Sequence, residues 1–373
     1  MKFLKSLIKL TFFAIAGGII GYLLAKNGGN TLPSAKALGV SKVELIGLFF
    51  ISIPAGLFVS VLIHELGHLF FGVSAGMNPI AMMVGPLCWR FNEEKNWPKL
   101  SIGRGISGGI TVCIPNETTN INNVLARFLI GGPLASLLLG ALCIASINYV
   151  PVIMKIPLGT TAAITILLGL YNLIPNTVFG LHTDGARLLA ILRGGSFSEE
   201  MIAQFLLTAH MHNNGTPNNW PQEKIDILMN AKEFSPEWRA GQYYSYMKTK
   251  FSKDWPSAKT HLMRAGSDLG DMPQIMKNSY QNEIAAFDAL CDHNFIDAAK
   301  TLRASGKGFL SQSHTEAIYQ AIIHIADGEM LKAEGQLQLA TKTTSNAIFK
   351  GTISLVQQDI QLLRAYIAVE QTT

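Results

Sequence analysis

Charge is scarce in this sequence. Asp, Glu, Lys and Arg make up 15% of its 373 residues, against 49% hydrophobic residues. A soluble domain carries about 25% charge, so the balance points to membrane spans. Cysteine is also sparse. Cys88, Cys113, Cys143 and Cys291 are scattered without CxxC spacing, which argues against a disulfide framework or a thiolate zinc site and leaves them as free thiols. No Lys/Arg-rich run with interleaved aromatics occurs, so nucleic acid is excluded as a partner. The length suits one to three domains.

What is present is a set of long apolar runs in the first half. The first extends from about Leu10 to Leu24, after Lys2, Lys5 and Lys9. It reads as a retained helix. A cleaved signal peptide is the rival reading, but Ala35-Lys36-Ala37 lies far past the apolar run. Gly17 and Gly21 share one helical face, where they permit close helix contact. The second run is uncharged from Leu45 to Ile63 and leads directly into His64-Glu65-Leu66-Gly67-His68. The third lies between Arg127 and Lys155, the fourth between Lys155 and His182. A span needs about 20 apolar residues, which the last three reach or approach.

Between the second and third runs, about Gly72 to Asn123 is rich in Gly, Pro and Asn. Ala81–Leu87, Leu100–Ile102 and Ile110–Ile114 read as short strands separated by glycine turns. With Trp89 and Trp97 nearby, the segment reads as a small β-rich loop at the membrane surface, with a plain soluble loop as the alternative. After Gly194-Gly195 charges recur regularly and the pattern becomes helical. Ala286, Asp292, Ala298 and Leu302 recur 35 residues later as Ala321, Asp327, Ala333 and Leu337, and Trp255–Leu262 resembles an irregular earlier copy. That period suggests stacked helical hairpins of the tetratricopeptide kind, with a non-repetitive helical bundle as the alternative.

The chemistry concentrates in two places. His64 and His68 are four residues apart, so a helix places both imidazoles on one face, where they can share a metal ion. Zinc suits two nitrogens and a carboxylate with one position left for water, and Glu65 adjoins the first ligand as a candidate general base. Ionisable residues at the end of a membrane helix are costly and therefore candidates for function. The second place follows the fourth run: Asn172-Leu173-Ile174-Pro175, then His182-Thr183-Asp184-Gly185. Pro175 is expected to break the helix ladder within the span. Asp184 reads both as a third ligand and as the N-cap of a helix over Ala186–Leu192. Gly185 leaves room for close backbone packing. His182 is a candidate oxyanion donor or a plain loop residue. His210 and His212, before Asn213-Asn214-Gly215, read as solvated.

Over about Val43 to Leu192 the chain resembles the site-2 protease family of intramembrane metalloproteases, which carries HExxH on one membrane helix and NxxP…DG on a later one. Here those are His64–His68 and Asn172–Gly185. Gly131-Gly132-Pro133-Leu134-Ala135-Ser136 is similar to the family's Gly-Pro-rich helix, with Ser136 where Asn is common, and Ser101–Ile110 with Gly108-Gly109 is similar to its membrane-associated β-hairpin. The resemblance implies that His64, His68 and Asp184 bind one Zn2+ per chain, that Glu65 activates water, and that Asn172 and Pro175 help position substrate.

The expected architecture is mainly α. A membrane helix and loop (1–42) precede a metalloprotease core (43–193) with a small β-rich loop, and a soluble helical domain (194–373) follows. The expected function is hydrolysis of peptide bonds in membrane-embedded or membrane-associated substrates. Expected partners are a membrane protein or peptide substrate, the lipid bilayer, and a cytoplasmic protein at the C-terminal domain. The N-terminal lysines, with Arg187 and Arg193, favour a multi-pass protein of the cell (inner) membrane with both termini cytoplasmic; Lys26, Lys36 and Lys42 oppose this. Two rivals stand beside this reading. One is a membrane zinc protease with a glutamate third ligand; the other is a metal-free receptor or scaffold.

Overall fold

The computed structural model describes residues 41–373, apart from 93–94, 103–107, 116–119, 179–180, 214, 271, 309–310, 346 and 372–373. The first apolar run and the lysines around it lie outside the described residues, as does the side chain of Trp97. The described chain is mainly helical, with a small antiparallel sheet. It divides into two compact units. The first reaches Leu192 without 177–181; the second holds those five residues and 193–373.

Three helices of the first unit are long and apolar enough to cross a membrane: Ile46–Ser74, Ile121–Ser146 and Val152–Leu173. Helix α1 (Lys42–Ser74) opens on a capping box. Ser41 Oγ accepts from the Glu44 amide at 3.2 Å, and Glu44 Oε2 accepts from the Ser41 amide at 2.7 Å. Large apolar side chains such as Phe50, Ile51 and Phe70 lie exposed along α1, as lipid-facing positions would. Helices α2 (Ile121–Ser146) and α3 (Lys155–Leu173) pack against α1 through small and hydroxylated residues. A Cβ on Gly67 would lie 2.6 Å from Ala135 Cβ and 2.9 Å from the Gly131 carbonyl carbon, so the α1 and α2 backbones nearly touch there. Ser60 and Thr165, both fully buried, join α1 to α3 by a 2.5 Å hydroxyl pair. In a bilayer, where no hydrophobic drive acts between helices, contacts of this kind would hold such a bundle.

Four strands follow α1: β1 (Met77–Val84), β2 (Leu87–Asn92), β3 (Lys95–Ile102) and β4 (Gly109–Pro115). The order is β3-β2-β1-β4, all antiparallel. This corrects two expectations. The apolar run Ala81–Leu87 contains a turn, because Gly85 adopts φ +53° and folds Leu87 back beside Val84. Ser101–Ile110 is not a hairpin: its two ends belong to β3 and β4, at opposite edges of the sheet, because β4 returns to pair with β1. Along β4, Gly109, Thr111 and Cys113 share the face that meets α1.

In the second unit, helices run from α5 (Ser196–His212) and α6 (Gln222–Met229) to α13 (Ile353–Glu370). Between them lie three consecutive pairs: α7/α8 (Pro236–Phe251, Trp255–Ala265), α9/α10 (Gln274–Asp292, Phe295–Ala304) and α11/α12 (Ser313–Ala326, Met330–Thr344). The fourth residue of each second helix is a buried alanine: Ala258, Ala298 and Ala333. The eighth is leucine: Leu262, Leu302 and Leu337. Two residues before each second helix the backbone turns left-handed, at Lys253 (φ 60°), His293 (φ 54°) and Gly328 (φ 75°). Arg239, almost wholly buried, donates to the carbonyls of Ala265, Ser267 and Asp268 at 2.8, 2.5 and 2.7 Å, closing the end of α8. His212 corrects the expectation of solvated histidines. It is 8% exposed and lies 2.9 Å from the Ile348 carbonyl through Nδ1, because α5 packs on the segment leading to α13. His210 is partly buried. All four cysteines are free thiols.

Candidate metal centre

His64, Glu65 and His68 lie in the C-terminal part of α1, all three buried. Each imidazole is fixed through Nδ1 by α2. His68 Nδ1 donates to the Phe128 carbonyl at 2.8 Å, and His64 Nδ1 lies 3.0 Å from Ser136 Oγ. A carbonyl only accepts, so His68 carries a proton on Nδ1, which leaves Nε2 as the atom turned to the site. Gly132 makes this approach possible. A Cβ there would lie 2.6 Å from His68 Cδ2, 2.8 Å from His64 Nε2 and closer still to His68 Nε2.

The third member arrives from the far side of α3. That helix stops at Leu173, and Ile174 turns extended ahead of Pro175. Pro175 therefore ends the span instead of interrupting it, and it is exposed. A short two-stranded ladder, β5 (Thr177–Val178) with β6 (Leu181–His182), leads to helix α4 (Asp184–Arg193). Thr183 fastens this return. Its hydroxyl lies 2.8 Å from the Ile174 carbonyl, and it accepts from the amides of Asn176 at 3.1 Å and Ala186 at 3.3 Å. Thr183 thus takes the capping role, and Asp184 becomes the first helical residue with its carboxylate turned to the histidines. Gly185 meets the α3 terminus so closely that a Cβ would lie 2.8 Å from Leu173 Cα.

His64 Nε2, His68 Nε2 and Asp184 Oδ2 form a near-equilateral triangle with sides of 3.1, 3.3 and 3.2 Å. Zinc–nitrogen distances of ~2.0–2.1 Å put ligand atoms ~3.3 Å apart around a tetrahedral ion, so the triangle fits one face of such a site. The group can hold a metal ion. Burial works against the Asp184 carboxylate, but the two imidazoles outweigh it and hold the carboxyl well below its usual range. Two imidazole nitrogens and one carboxylate oxygen are a donor set that suits zinc.

Glu65 faces away from the triangle's α2 side toward β4. Thr111 Oγ1 donates to its Oε2 at 2.7 Å and lies 3.1 Å from its carbonyl. Gly109 gives Glu65 its space, since a Cβ there would lie 2.7 Å from Val61 Cγ1 and against the Glu65 carboxylate. The remaining sequence candidates are placed differently. Asn172 donates from Nδ2 to the Leu168 carbonyl of its own helix at 3.2 Å. His182 lies on β6, outside the metal-competent trio. Thr111, Thr183 and the Phe128 carbonyl join the site without any motif to announce them. Ser136 was visible only as part of the Gly-Pro segment. No protein-family model matches this chain, and neither a curated protein nor a solved structure matches it.

Proposed function

We propose that the chain is an intramembrane zinc metallopeptidase of the site-2 protease kind. The observation that carries this reading is the triangle of His64, His68 and Asp184 beside the buried Glu65, at the end of a membrane-length helix. When bound, zinc supplies Lewis acidity to a water and to the scissile carbonyl. His64, His68 and Asp184 hold it, while Ser136 and the Phe128 carbonyl keep the two rings oriented. Glu65 takes the attacking water's proton at its carboxylate and passes it to the leaving amine nitrogen. Thr111 fixes one oxygen of that carboxylate. Asn172, at the end of α3, and Pro175, in the return that carries Asp184, contribute to the substrate path.

A helical peptide bond is shielded by its own hydrogen bonds, so the substrate has to be extended at the point of attack. Strand β4 offers a template. Among the described residues it pairs with β1 alone, and it carries Thr111 and Gly109 beside Glu65. An unwound substrate strand adding to that edge reaches the base directly. The helical pairs of the second unit support a tetratricopeptide-like module that recruits a cytoplasmic protein or substrate segment. The setting is the cell membrane, with both termini cytoplasmic.

The test compares membrane peptides in cells carrying the native chain or Glu65→Gln, with metal analysis of both proteins after detergent purification. Expected are one zinc per chain in both proteins and accumulation of uncleaved substrate with the variant only. Identical peptide profiles would overturn the protease reading. A metal-free native protein would overturn the centre itself.

A further inference from the structure

Helix α3 supplies none of the three ligands, yet one face of it lies behind two of them. Gly169 and Leu173 are four residues apart, so both sit on that face. Leu173 is the residue that Gly185 meets, next to Asp184. Gly169, one turn earlier, is buried against the turn of α2 that carries Ser136. A Cβ on Gly169 would lie 3.1 Å from each of Ser136 Cβ, the Pro133 carbonyl oxygen and Leu137 Cγ. Ser136 is itself fully buried, and its hydroxyl lies 3.0 Å from His64 Nδ1. A neutral ring that offers Nε2 to an ion carries its proton on Nδ1, so the serine oxygen has to accept there. Contact thus runs from the Gly169 backbone through Ser136 to His64.

Two further contacts hold α3 at this height. Thr165, one turn before Gly169, forms its hydroxyl pair with Ser60, one turn before His64. Ile166 fits against Gly140 of α2 so closely that a Cβ there would overlap Ile166 Cγ1. The helices cannot slide without breaking these contacts, and an interior packed in this way transmits strain. We propose that Gly169 is a positioning residue for the metal centre: its missing side chain lets α3 seat Ser136 at hydrogen-bond distance from His64. The inference rests on the metal reading above and adds a residue that acts through another. Plain packing, which small residues serve in any membrane bundle, makes a different prediction. It expects lost stability with no path through one hydroxyl.

The test is zinc affinity by chelator competition on the full chain in detergent, with circular dichroism to follow folding. Gly169→Ala requires the α2 turn to give by about 0.3 Å, since ordinary contact begins at 3.4 Å. It should weaken zinc binding severalfold, and by no more than Ser136→Ala, the residue through which it acts. Ser136→Ala keeps the Cβ that Gly169→Ala crowds and removes the hydroxyl. In that background the change at Gly169 should therefore cost no further zinc affinity. Gly159→Ala, on the same helix, is the control, because a Cβ there meets only Ile147 Cδ1, at 3.7 Å. Should Gly169→Ala lose its fold, Leu137→Ala is added to every protein compared, which removes one of the three contacts. Native affinity in folded Gly169→Ala, a loss exceeding that of Ser136→Ala, or an equal loss with and without the Ser136 hydroxyl would overturn the proposal and leave the centre standing. A native chain that binds no zinc would overturn the centre and the proposal together.

Discussion

Replacing Gly132 by alanine adds one methyl group and removes no ligand, yet it should empty the metal centre. The added carbon would lie 2.6 Å from His68 Cδ2 and 2.8 Å from His64 Nε2, where ordinary contact begins at 3.4 Å. His68 Nε2 lies closer still, so relief requires a shift of more than about 0.8 Å, shared between α2 and the imidazoles. Metal–ligand distances tolerate only about 0.2 Å. The rings cannot retreat freely, because Ser136 and the Phe128 carbonyl hold both from the same helix. At least one nitrogen leaves the ion, and the loss should exceed the 10–100-fold typical of disturbing a ligand's support. The assay is metal content after detergent purification, followed by a chelator-competition titration. Gly47→Ala is the control on α1, since a Cβ there meets nothing within 4 Å. Full metal content and native affinity in Gly132→Ala would refute the reasoning and mean that the described ring positions are not those of the loaded centre.

Three further outcomes are expected. Ser136→Ala frees the His64 ring and should weaken metal binding about 10–100-fold while leaving the helices intact, measured by the same competition. Thr111→Val should lower kcat about tenfold, with metal content and KM little changed, and Thr111→Ser should restore it; a change in KM alone would show that the hydroxyl serves the substrate and not Glu65. Lys253→Gly should stabilise the second unit, because the left-handed backbone costs a lysine about 1–2 kcal/mol and the glycine's freer unfolded chain returns about half of that. The net gain of about 0.5–1 kcal/mol should appear as a rise of about 1–4 °C in its melting temperature.

The histidine pair could be read from the sequence because helical periodicity alone puts positions 64 and 68 on one face. Asp184 could be read as a third ligand, but its neighbour's role could not: the sequence favours Asp184 as the cap, and only the Ile174, Asn176 and Ala186 contacts select Thr183. Thr111 and Ser136 were beyond reach as partners for the same reason. A hydroxyl finds its acceptor across 46 or 72 residues of chain, and nothing local encodes that distance. Sheet pairing failed similarly, since alternation shows a strand but not its neighbour. In the second unit the recurring alanines and leucines were visible, whereas the left-handed connectors were not, because only Gly328 of the three is a glycine.

The candidate metal centre joins residues 120 positions apart. An ion held there is also a cross-link. It would tie the C-terminal part of α1 to the start of α4, beyond α3, as a disulfide ties two distant cysteines. In free solution, closing a loop of that length is worth up to about 4.7 kcal/mol, and less where a bilayer already confines the spans. Occupancy and cohesion are thus one variable. A chelator should do more than stop chemistry: it should release the return that Thr183 fastens and lower the heat resistance of the first unit. A substitution that silences Glu65 should leave that resistance whole.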